Sequence, residues 1–580
     1  MGHDSGVTVL LNSPATFFRG TPKTLLKNKV NMKERLLLLC LLLSNIGWAQ
    51  NTVGLISYEY DQVEDSYTLI HPHGQPNNYL LNNCGEIVHI WEDSVEYSSG
   101  STSYLLPNGQ LLKGKAPLSH QGDSIWSGGA GSIVELRSWD NELLWHYELN
   151  TDTRRLHHDV VPMPNGHVLM LAWEKKTKEE AIAAGRDPAL ITQGKLWPDY
   201  IFEVDPATDE IVWQWHVWDH LIQDFDATKA NFGVVSEHPE LVDINYDTRG
   251  GIADWMHGNA LDYNEMLDQV MLSVPAFNEI WIIDHSTTTA QAAAHNGGGI
   301  GHGGDLLYRV GNPAAYQRED SGGQILFFQH NAHWVNEFIE FGNPYFGQVM
   351  CFNNRVATDH SSVETFESSW NMYLGDYEQF EGAFPPFELT NTFTHPEPGR
   401  MSSDILSSAQ AMPNGNLFVA VGRTGYLFEV NQEEEIVWQY IIPFKMGQPA
   451  TQGDSLAVND NFNFKAFKYP ATYAAFDGKD LASIGFIENE PDEDYCDFLI
   501  RTNFPSIVHA KVFPTIADTE IILTWDSKEA IRVEMIDIMG RTRLKTHAYG
   551  GETHLDIQNL AAGVYIVLVN GMESIKVVVF

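Results

Sequence analysis

The chain has 580 residues, 43% of them hydrophobic and 12% aromatic, enough to bury a large core in more than one domain. With 35 lysines and arginines against 76 aspartates and glutamates, the net charge is −41, which argues against nucleic acid and anionic membrane surfaces as partners. The carboxylates are spread along the sequence rather than gathered in a tail, so they read as solubility; an anion remains an acceptable ligand where local donors converge.

From Met32 the chain reads Met-Lys-Glu-Arg, then Leu36 to Leu43 interrupted by Cys40, then Ser-Asn-Ile-Gly-Trp-Ala-Gln. A basic start, an apolar stretch and a small-x-small site ending at Ala49 make residues 32–49 a signal peptide. The apolar run is too short to cross a bilayer, so no membrane span is expected in the mature protein. Residues 1–31 have no structural logic of their own and read as an over-extended gene start. Leu39 before Cys40 is not the small residue of a lipoprotein signal. Beyond the signal stand Cys84, Cys351 and Cys496, an odd number that allows one bridge in an oxidising compartment but no disulfide framework.

Residues 50–487 read almost entirely as strands and turns, with 177–187 as one short helix. Leu106-Pro107-Asn108-Gly109, Met163-Pro164-Asn165-Gly166 and Met412-Pro413-Asn414-Gly415 each lead into an apolar strand, which is a hairpin signal. A second phrase, an apolar pair followed by tryptophan, recurs as Val88-His89-Ile90-Trp91, Leu143-Leu144-Trp145, Ile211-Val212-Trp213 and Ile436-Val437-Trp438. A recurring multi-strand unit that cannot bury both faces alone predicts a β-propeller of roughly six blades, with a β-sandwich array as the alternative.

Residues 254–334, from Asp254-Trp255-Met256-His257-Gly258-Asn259 to Gln329-His330-Asn331-Ala332-His333-Trp334, concentrate imidazoles and anion-binding groups. His157 stands seven residues before Pro164, and His257 seven before Asn264 of a degenerate turn; Asp159 and Asn259 follow each by two. Equivalent offsets in equivalent blades bring these side chains to one mouth of a channel. The offset favours His157 over its neighbour His158.

Several phrases in fixed order then become specific: Asp254-Trp255-Met256-His257, Leu267-Asp268-Gln269-Val270-Met271-Leu272-Ser273, Glu279-Ile280-Trp281-Ile282-Ile283-Asp284-His285-Ser286, Gly304-Asp305-Leu306-Leu307-Tyr308-Arg309, Gly311-Asn312-Pro313 and Gln329-His330-Asn331-Ala332-His333-Trp334. Together they resemble the bacterial aryl-sulfate sulfotransferases, and the similarity extends over most of residues 50–450. The resemblance implies an all-β, six-bladed propeller that moves a sulfuryl group from an aryl sulfate to a phenolic acceptor through a sulfated histidine, with no cofactor. It makes His330 the nucleophile. His257, Asn259 and His157 or His158 would hold sulfuryl oxygens or exchange protons with the phenolic oxygen. Neutral imidazole suits this chemistry, because it is nucleophilic near neutral pH without prior deprotonation. Arg309 is read either as a sulfate clamp or as the partner of a carboxylate, His333 as a sulfate ligand or a core residue, and Arg423 as a channel residue or part of a surface turn.

Three positions depart from the family pattern. Pro275 stands where relatives carry an arginine, Asn331 where they carry aspartate, and Val310 where they carry tryptophan. A binding propeller without turnover is therefore the second functional reading. Gly-Gly-Gly-Ile-Gly-His-Gly-Gly at 297–304 lacks the ending of a phosphate loop and reads as a rim loop. No helix-spaced histidine pair or Cys-x-x-Cys accompanies His157, His158, Asp159, His257 and His330, so no catalytic metal is expected.

An acidic stretch at 488–506 reads as a linker. Beyond it, residues 507–580 alternate in period two through Val533-Glu534-Met535-Ile536-Asp537 and Val564-Tyr565-Ile566-Val567, which predicts a small β-sandwich. These phrases resemble the C-terminal sorting domain of type IX secretion. That resemblance implies the type IX machinery as a partner and a secreted or cell-surface location.

Overall fold

The computed structural model describes residues 51–318, 323–502, 510–526, 531–538, 541–548, 550–569 and 573–580; the expected leader and signal peptide lie outside them. Antiparallel strands dominate. Among the described residues no helix is long and apolar enough to cross a membrane.

Between residues 54 and 470, six sheets of four or five strands follow one another. Sheet 1 comprises Asn463–Pro470, Ser66–Pro72, Asn78–Leu81 and Ile87–Trp91, and sheet 2 comprises Tyr97–Leu105, Leu111–Pro117, Ile133–Arg137 and Leu143–Glu148. Sheet 3 is Arg154–Pro162, Val168–Glu174, Asp199–Asp205 and Glu210–His216; sheet 4 is Ala260–Asn264, Gln269–Val274, Glu279–Asp284 and Tyr308–Val310. Sheet 5 is His330–Trp334, Val349–Asn353, Ser362–Phe366 and Asn391–Phe393. Sheet 6 is Ser408–Ala411, Leu417–Val421, Tyr426–Val430 and Ile436–Ile441, with Gly54–Tyr58 as a fifth strand. The leading strand of each sheet touches that of the next, and the sixth touches the first. Sheets 1 and 6 each take a strand from the opposite end of this region, so both ends are held by backbone ladders.

The repeated phrases explain the units. In each Pro-Asn-Gly turn the glycine N–H donates to the carbonyl three residues back, Gly109 to Leu106, Gly166 to Met163 and Gly415 to Met412, all at 2.9 Å. Their φ angles of +80°, +87° and +87° are those a side chain resists. The repeated tryptophans lie on the fourth strands and reach to the next sheet. Trp91 Nε1 donates to Ser138 O at 3.1 Å, Trp145 to Asp209 Oδ1 at 2.7 Å, Trp213 to Thr287 Oγ1 at 3.0 Å, and Trp438 to Asn83 O at 2.8 Å. Sheets 4 and 5 make the same step with other residues: Tyr308 Oη donates to Pro385 O at 2.7 Å, and His395 Nε2 bonds Tyr426 Oη at 3.2 Å. Every sheet thus reaches its successor through a polar contact, including sixth to first.

The expected short helix is Lys178–Ala183, started by Thr177 and Glu180 in a reciprocal capping box. The segment expected as a linker is packed along part of its length. Glu488 is buried, helix Tyr495–Thr502 follows, Tyr495 Oη donates to Ile56 O at 3.0 Å, and Cys496 is disulfide-bonded to Cys84 of sheet 1. Cys351 is free and buried in sheet 5. The C-terminal region forms a three-stranded and a five-stranded sheet that share one apolar cluster, including Ile521, Leu523, Val533, Met535, Val567 and Val577.

Trp438→Phe keeps the ring but leaves the Asn83 carbonyl without its donor where the sixth sheet meets the first. Denaturant unfolding is expected to show a loss of about 1–3 kcal/mol with little change in slope.

Candidate active site

The side chains of interest stand where the leading strands are irregular. In sheet 3, Leu156 pairs with Ala172 and Val160 with Met170, so His157, His158 and Asp159 bulge opposite Leu171 alone. In sheet 5, Asn331 and Ala332 stand opposite Cys351; in sheet 1, Phe464 and Lys465 stand opposite His71. Such bulges re-aim side chains that a regular pleat would send to one face or the other. His158, His257, Phe328, Asn331 and Leu406 also have positive φ, between +52° and +63°. Left-handed backbone at several non-glycine residues in one place makes it a candidate functional site.

Five side-chain rings from these segments form a circuit. His158 meets His257 at a centroid distance of 4.5 Å, His257 meets Phe328 at 6.2 Å, Phe328 meets His330 at 6.0 Å, His330 meets Phe464 at 6.3 Å and Phe464 meets His158 at 5.8 Å. His257 and His330, which are far apart in sequence, thus flank the same phenylalanine.

His330 is buried, and its tautomer is set by its neighbours. Asn354 donates its amide N–H groups to Ser403 O at 2.7 Å and Leu406 O at 2.9 Å, which turns Oδ1 toward His330 Nδ1 at 2.8 Å. The proton therefore sits on Nδ1, and Nε2 keeps the lone pair that accepts the Leu406 N–H at 3.2 Å. Burial is the main cause lowering the His330 pKa to about 3, and the charge of His257 adds to it.

His257 Nδ1 lies 2.7 Å from Asp254 Oδ2, which also accepts from Ser127 Oγ at 2.6 Å and Arg249 Nη1 at 3.1 Å. Burial alone would raise Asp254, but His257, Arg249 and Ser127 hold it well below the usual carboxylate range. An anchored carboxylate behind Nδ1 leaves His257 Nε2 free to exchange a proton and steadies the imidazolium that results. His158 Nδ1 bonds His157 Nδ1 at 2.9 Å. Burial, then the charges of His257, His157, His330 and Arg249, push the His158 pKa well below its ordinary value.

Two clefts adjoin the circuit. One, of about 370 Å³, is mainly apolar and is lined by His158, Phe464, Leu406, Phe462, Trp126 and His73 among others. The other, of about 430 Å³, is lined by Thr248, Arg249, Pro275, Asn278, Phe327, Phe328 and Arg355. It holds two guanidinium groups and no carboxylate in the lining, in a protein of net charge −41. Arg355 lies 3.6 Å above the Phe328 ring. Burial comes first and the charge of Arg249 adds to it, pulling the Arg355 pKa down against the help of Asp404; a bound anion would relieve that repulsion.

The remaining residues singled out in the sequence are placed as follows. His157, which the offset favoured, lies behind His158, stacked on Trp173 at 4.0 Å with Nε2 3.4 Å from Asp199. Sheet 3 carries two extra residues at its bulge where the first strand pair of sheet 4 is regular, so equal offsets are not equal places. Asn259 donates to Gln329 O at 2.8 Å and so steadies the residue before His330. Arg309 is fully buried, paired in fork fashion with Glu279 and bonded to the carbonyls of Pro239 and Leu241, and it lines neither cleft. His333 bonds Asn331 O at 2.9 Å and faces a separate cavity of about 70 Å³ shared with Tyr104, Asp262, Glu337 and Lys465. Arg423 is tied to Asp404 and Asn459 in a surface turn. Asn354, Arg249, Arg355, Phe328 and Phe464 were not singled out by sequence reasoning. No motif marks them, and only the scarcity of basic residues could have drawn attention to the two arginines.

The family model "Arylsulfotransferase (ASST)" matches residues 52–441. The chain belongs to the arylsulfotransferase family. The family domain supports aryl sulfotransferase activity in general. A second model, the secretion system C-terminal sorting domain of type IX secretion, matches residues 511–579 and marks this arylsulfotransferase as secreted or cell-surface. No curated protein matches the chain. Similar solved structures include a protein of unknown function from Bacteroides caccae (10% identity, 70% of this chain and 98% of that one, TM-score 0.36). They also include the Cps50 (Swd1) β-propeller domain of Myceliophteria thermophila (11%, 69% and 92%, TM-score 0.34) and an inactive virginiamycin B lyase from Staphylococcus aureus (9%, 69% and 92%, TM-score 0.31).

Because the His330 pKa is lowered to about 3, its ring stays neutral well below the ordinary imidazole range and takes up a proton only as pH falls toward that value. Single-turnover labelling of His330 by an aryl sulfate is expected not to fall as pH is lowered from about 7 to 5, measured by quenched-flow mass spectrometry. A drop centred near 6.5 would contradict this account.

Proposed function

We propose that this protein is a secreted aryl-sulfate sulfotransferase, built as a six-bladed β-propeller, that passes a sulfuryl group from an aryl sulfate to a phenolic acceptor through a sulfated His330. The blade reading rests on six meander sheets, each bonded to the next and the last to the first. In this reading the propeller spans 50–487, residues 32–49 are a signal peptide, and 507–580 are a sorting β-sandwich that engages the type IX machinery. The observation that carries the reaction is the tautomer of His330. Asn354 fixes the proton on Nδ1 and leaves the lone pair on Nε2, which bonds the N–H of Leu406, a residue that lines the apolar cleft.

In the first half-reaction the Nε2 lone pair gives up the Leu406 N–H and attacks sulfur, an N–S bond forms, and the S–O bond to the aryl group breaks. The leaving phenolate takes its proton from His257, whose imidazolium form Asp254 supports. In the second, the acceptor phenol gives its proton to His257 while its oxygen attacks sulfur and the N–S bond breaks. Charge on the peripheral oxygens is met by His158, Arg249 and Arg355, as in-line transfer of such groups requires. Arg249 and Arg355 line the cleft together with Pro275 and so supply charge where that residue supplies none. Asn259 and His157 act by holding Gln329 and His158 in place, and Arg309 acts by binding Glu279.

Incubation with an aryl sulfate alone is expected to leave one SO₃ adduct on His330, found by peptide mass spectrometry and discharged on adding a phenol. His330→Ala is expected to abolish both adduct and transfer; transfer that persists in this variant, or an adduct on another ring, overturns the assignment. Arg355→Ala is expected to lower kcat/KM by about 100-fold, the scale for losing one aimed donor, while Pro275→Arg changes it less than about tenfold. The second reading, a propeller that binds sulfated ligands without turnover, is favoured by Pro275 and predicts binding with no acceptor-dependent release.

A further inference from the structure

Away from the five-ring circuit, His220, His295 and Asp305 converge at the edge of the glycine-rich loop. His220 Nδ1 lies 2.8 Å from Asp305 Oδ1, His295 Nδ1 lies 2.7 Å from the same oxygen, and the three atoms are within 4.8 Å of one another. His220 is fully buried, and its other nitrogen, Nε2, lies 2.8 Å from the Ala292 carbonyl. A carbonyl can only accept, so Nε2 carries a proton, and the neutral ring then aims its Nδ1 lone pair at a carboxylate oxygen. Two facing lone pairs call for a positive charge between them, and the exposed His295 ring, free to present either tautomer, can add a third.

We infer that His220, His295 and Asp305 bind a divalent transition-metal ion of the zinc type. Two imidazole nitrogens and a carboxylate oxygen are a donor set for such an ion, and the Ala292 carbonyl fixes the tautomer of His220 from behind, as outer groups do at metal sites. Ligands at about 2.1 Å from an ion stand roughly 3.4 Å apart, so His295 would shift outward by a fraction of an ångström. It is exposed and leads into the glycines, which permits that movement and gives the ion access from solvent. The wall behind is rigid. Trp215 stacks on His220 at 5.6 Å and donates to Gly304 O at 2.6 Å. A Cβ on Gly304 would lie 1.9 Å from Ala292 O and 2.7 Å from His220 Nε2, so only glycine lets the loop approach this closely. None of the three residues lines a cleft beside the circuit. The ion would fasten loop 294–305 to the segment before Leu221, independently of the transfer chemistry.

The test uses the full chain, stripped with a chelator and titrated with Co²⁺ as a spectroscopic probe, then with Zn²⁺ followed by dialysis and elemental analysis. The expected result is saturation at a single equivalent, with the visible absorption of low-coordinate Co²⁺, and a higher Tm with Zn²⁺. His295→Ala, at an exposed position, and Asp305→Asn are each expected to abolish the spectrum and weaken Zn²⁺ binding by more than the ~10–100-fold typical of losing an outer-shell partner. Absence of bound metal in the wild type would show a buried imidazolium paired with carboxylate instead. An undiminished spectrum in both variants would place the metal elsewhere; either result overturns the inference.

Discussion

The architecture depends on an indole N–H reaching across the gap between two sheets. A four-stranded meander cannot bury both faces by itself, and its fourth strand is an edge that must be covered. Trp91, Trp145 and Trp213 each bring a large apolar ring and a single donor to this edge, and Trp438 does so from a fourth strand that Gly54–Tyr58 covers; each donor has one acceptor to find, on the neighbouring unit. Packing alone would allow the sheets to slide against one another. A directional bond fixes their rotation, and repeated around the circuit it fixes where the leading strands meet.

That geometry is what makes a site possible at all. The rings of His158, His257, Phe328, His330 and Phe464 come from four sheets or the loops that enter them, and no two sheets alone would assemble them. The irregular backbone around them would be costly in isolation and is held by ladders on both sides. Burial keeps His158 and His330 neutral, so they act as a hydrogen-bonding group and a nucleophile rather than as cations. Permanent positive charges near them are the two guanidinium groups of the neighbouring cleft and the Lys465 ammonium, which is paired with Asp159. In a strongly acidic protein, such a local reversal of sign gives an anion somewhere to settle that the surface at large does not offer.

The unit of the fold could be read from residues 106–109, 163–166 and 412–415 because the turn chemistry of Pro-Asn-Gly is local. The tryptophan phrases were equally visible, although what each indole bonds to was not. The neighbourhood of the candidate site was legible: the rings of His257, His330 and one member of the His157-His158 pair lie close together. The choice within that pair was not legible. A bulge adds residues without disturbing the apolar pattern on either side, so counting from the turn selects the ring that stacks on Trp173 instead of the one that faces His257. Asn354 escaped notice for a related reason. An asparagine after an apolar strand looks like any strand end, and its role follows from which carbonyls surround it.

The bond between Cys84 and Cys496 joins the first sheet to the helix that precedes the sorting region. Thiols remain reduced in the cytoplasm and pair in oxidising compartments, so this fastening is made after the chain leaves the cell interior. Because residue 496 lies upstream of the sorting match at 511–579, the clasp belongs to the arylsulfotransferase body rather than to its address label, and would stay closed whether that label is kept or cut away.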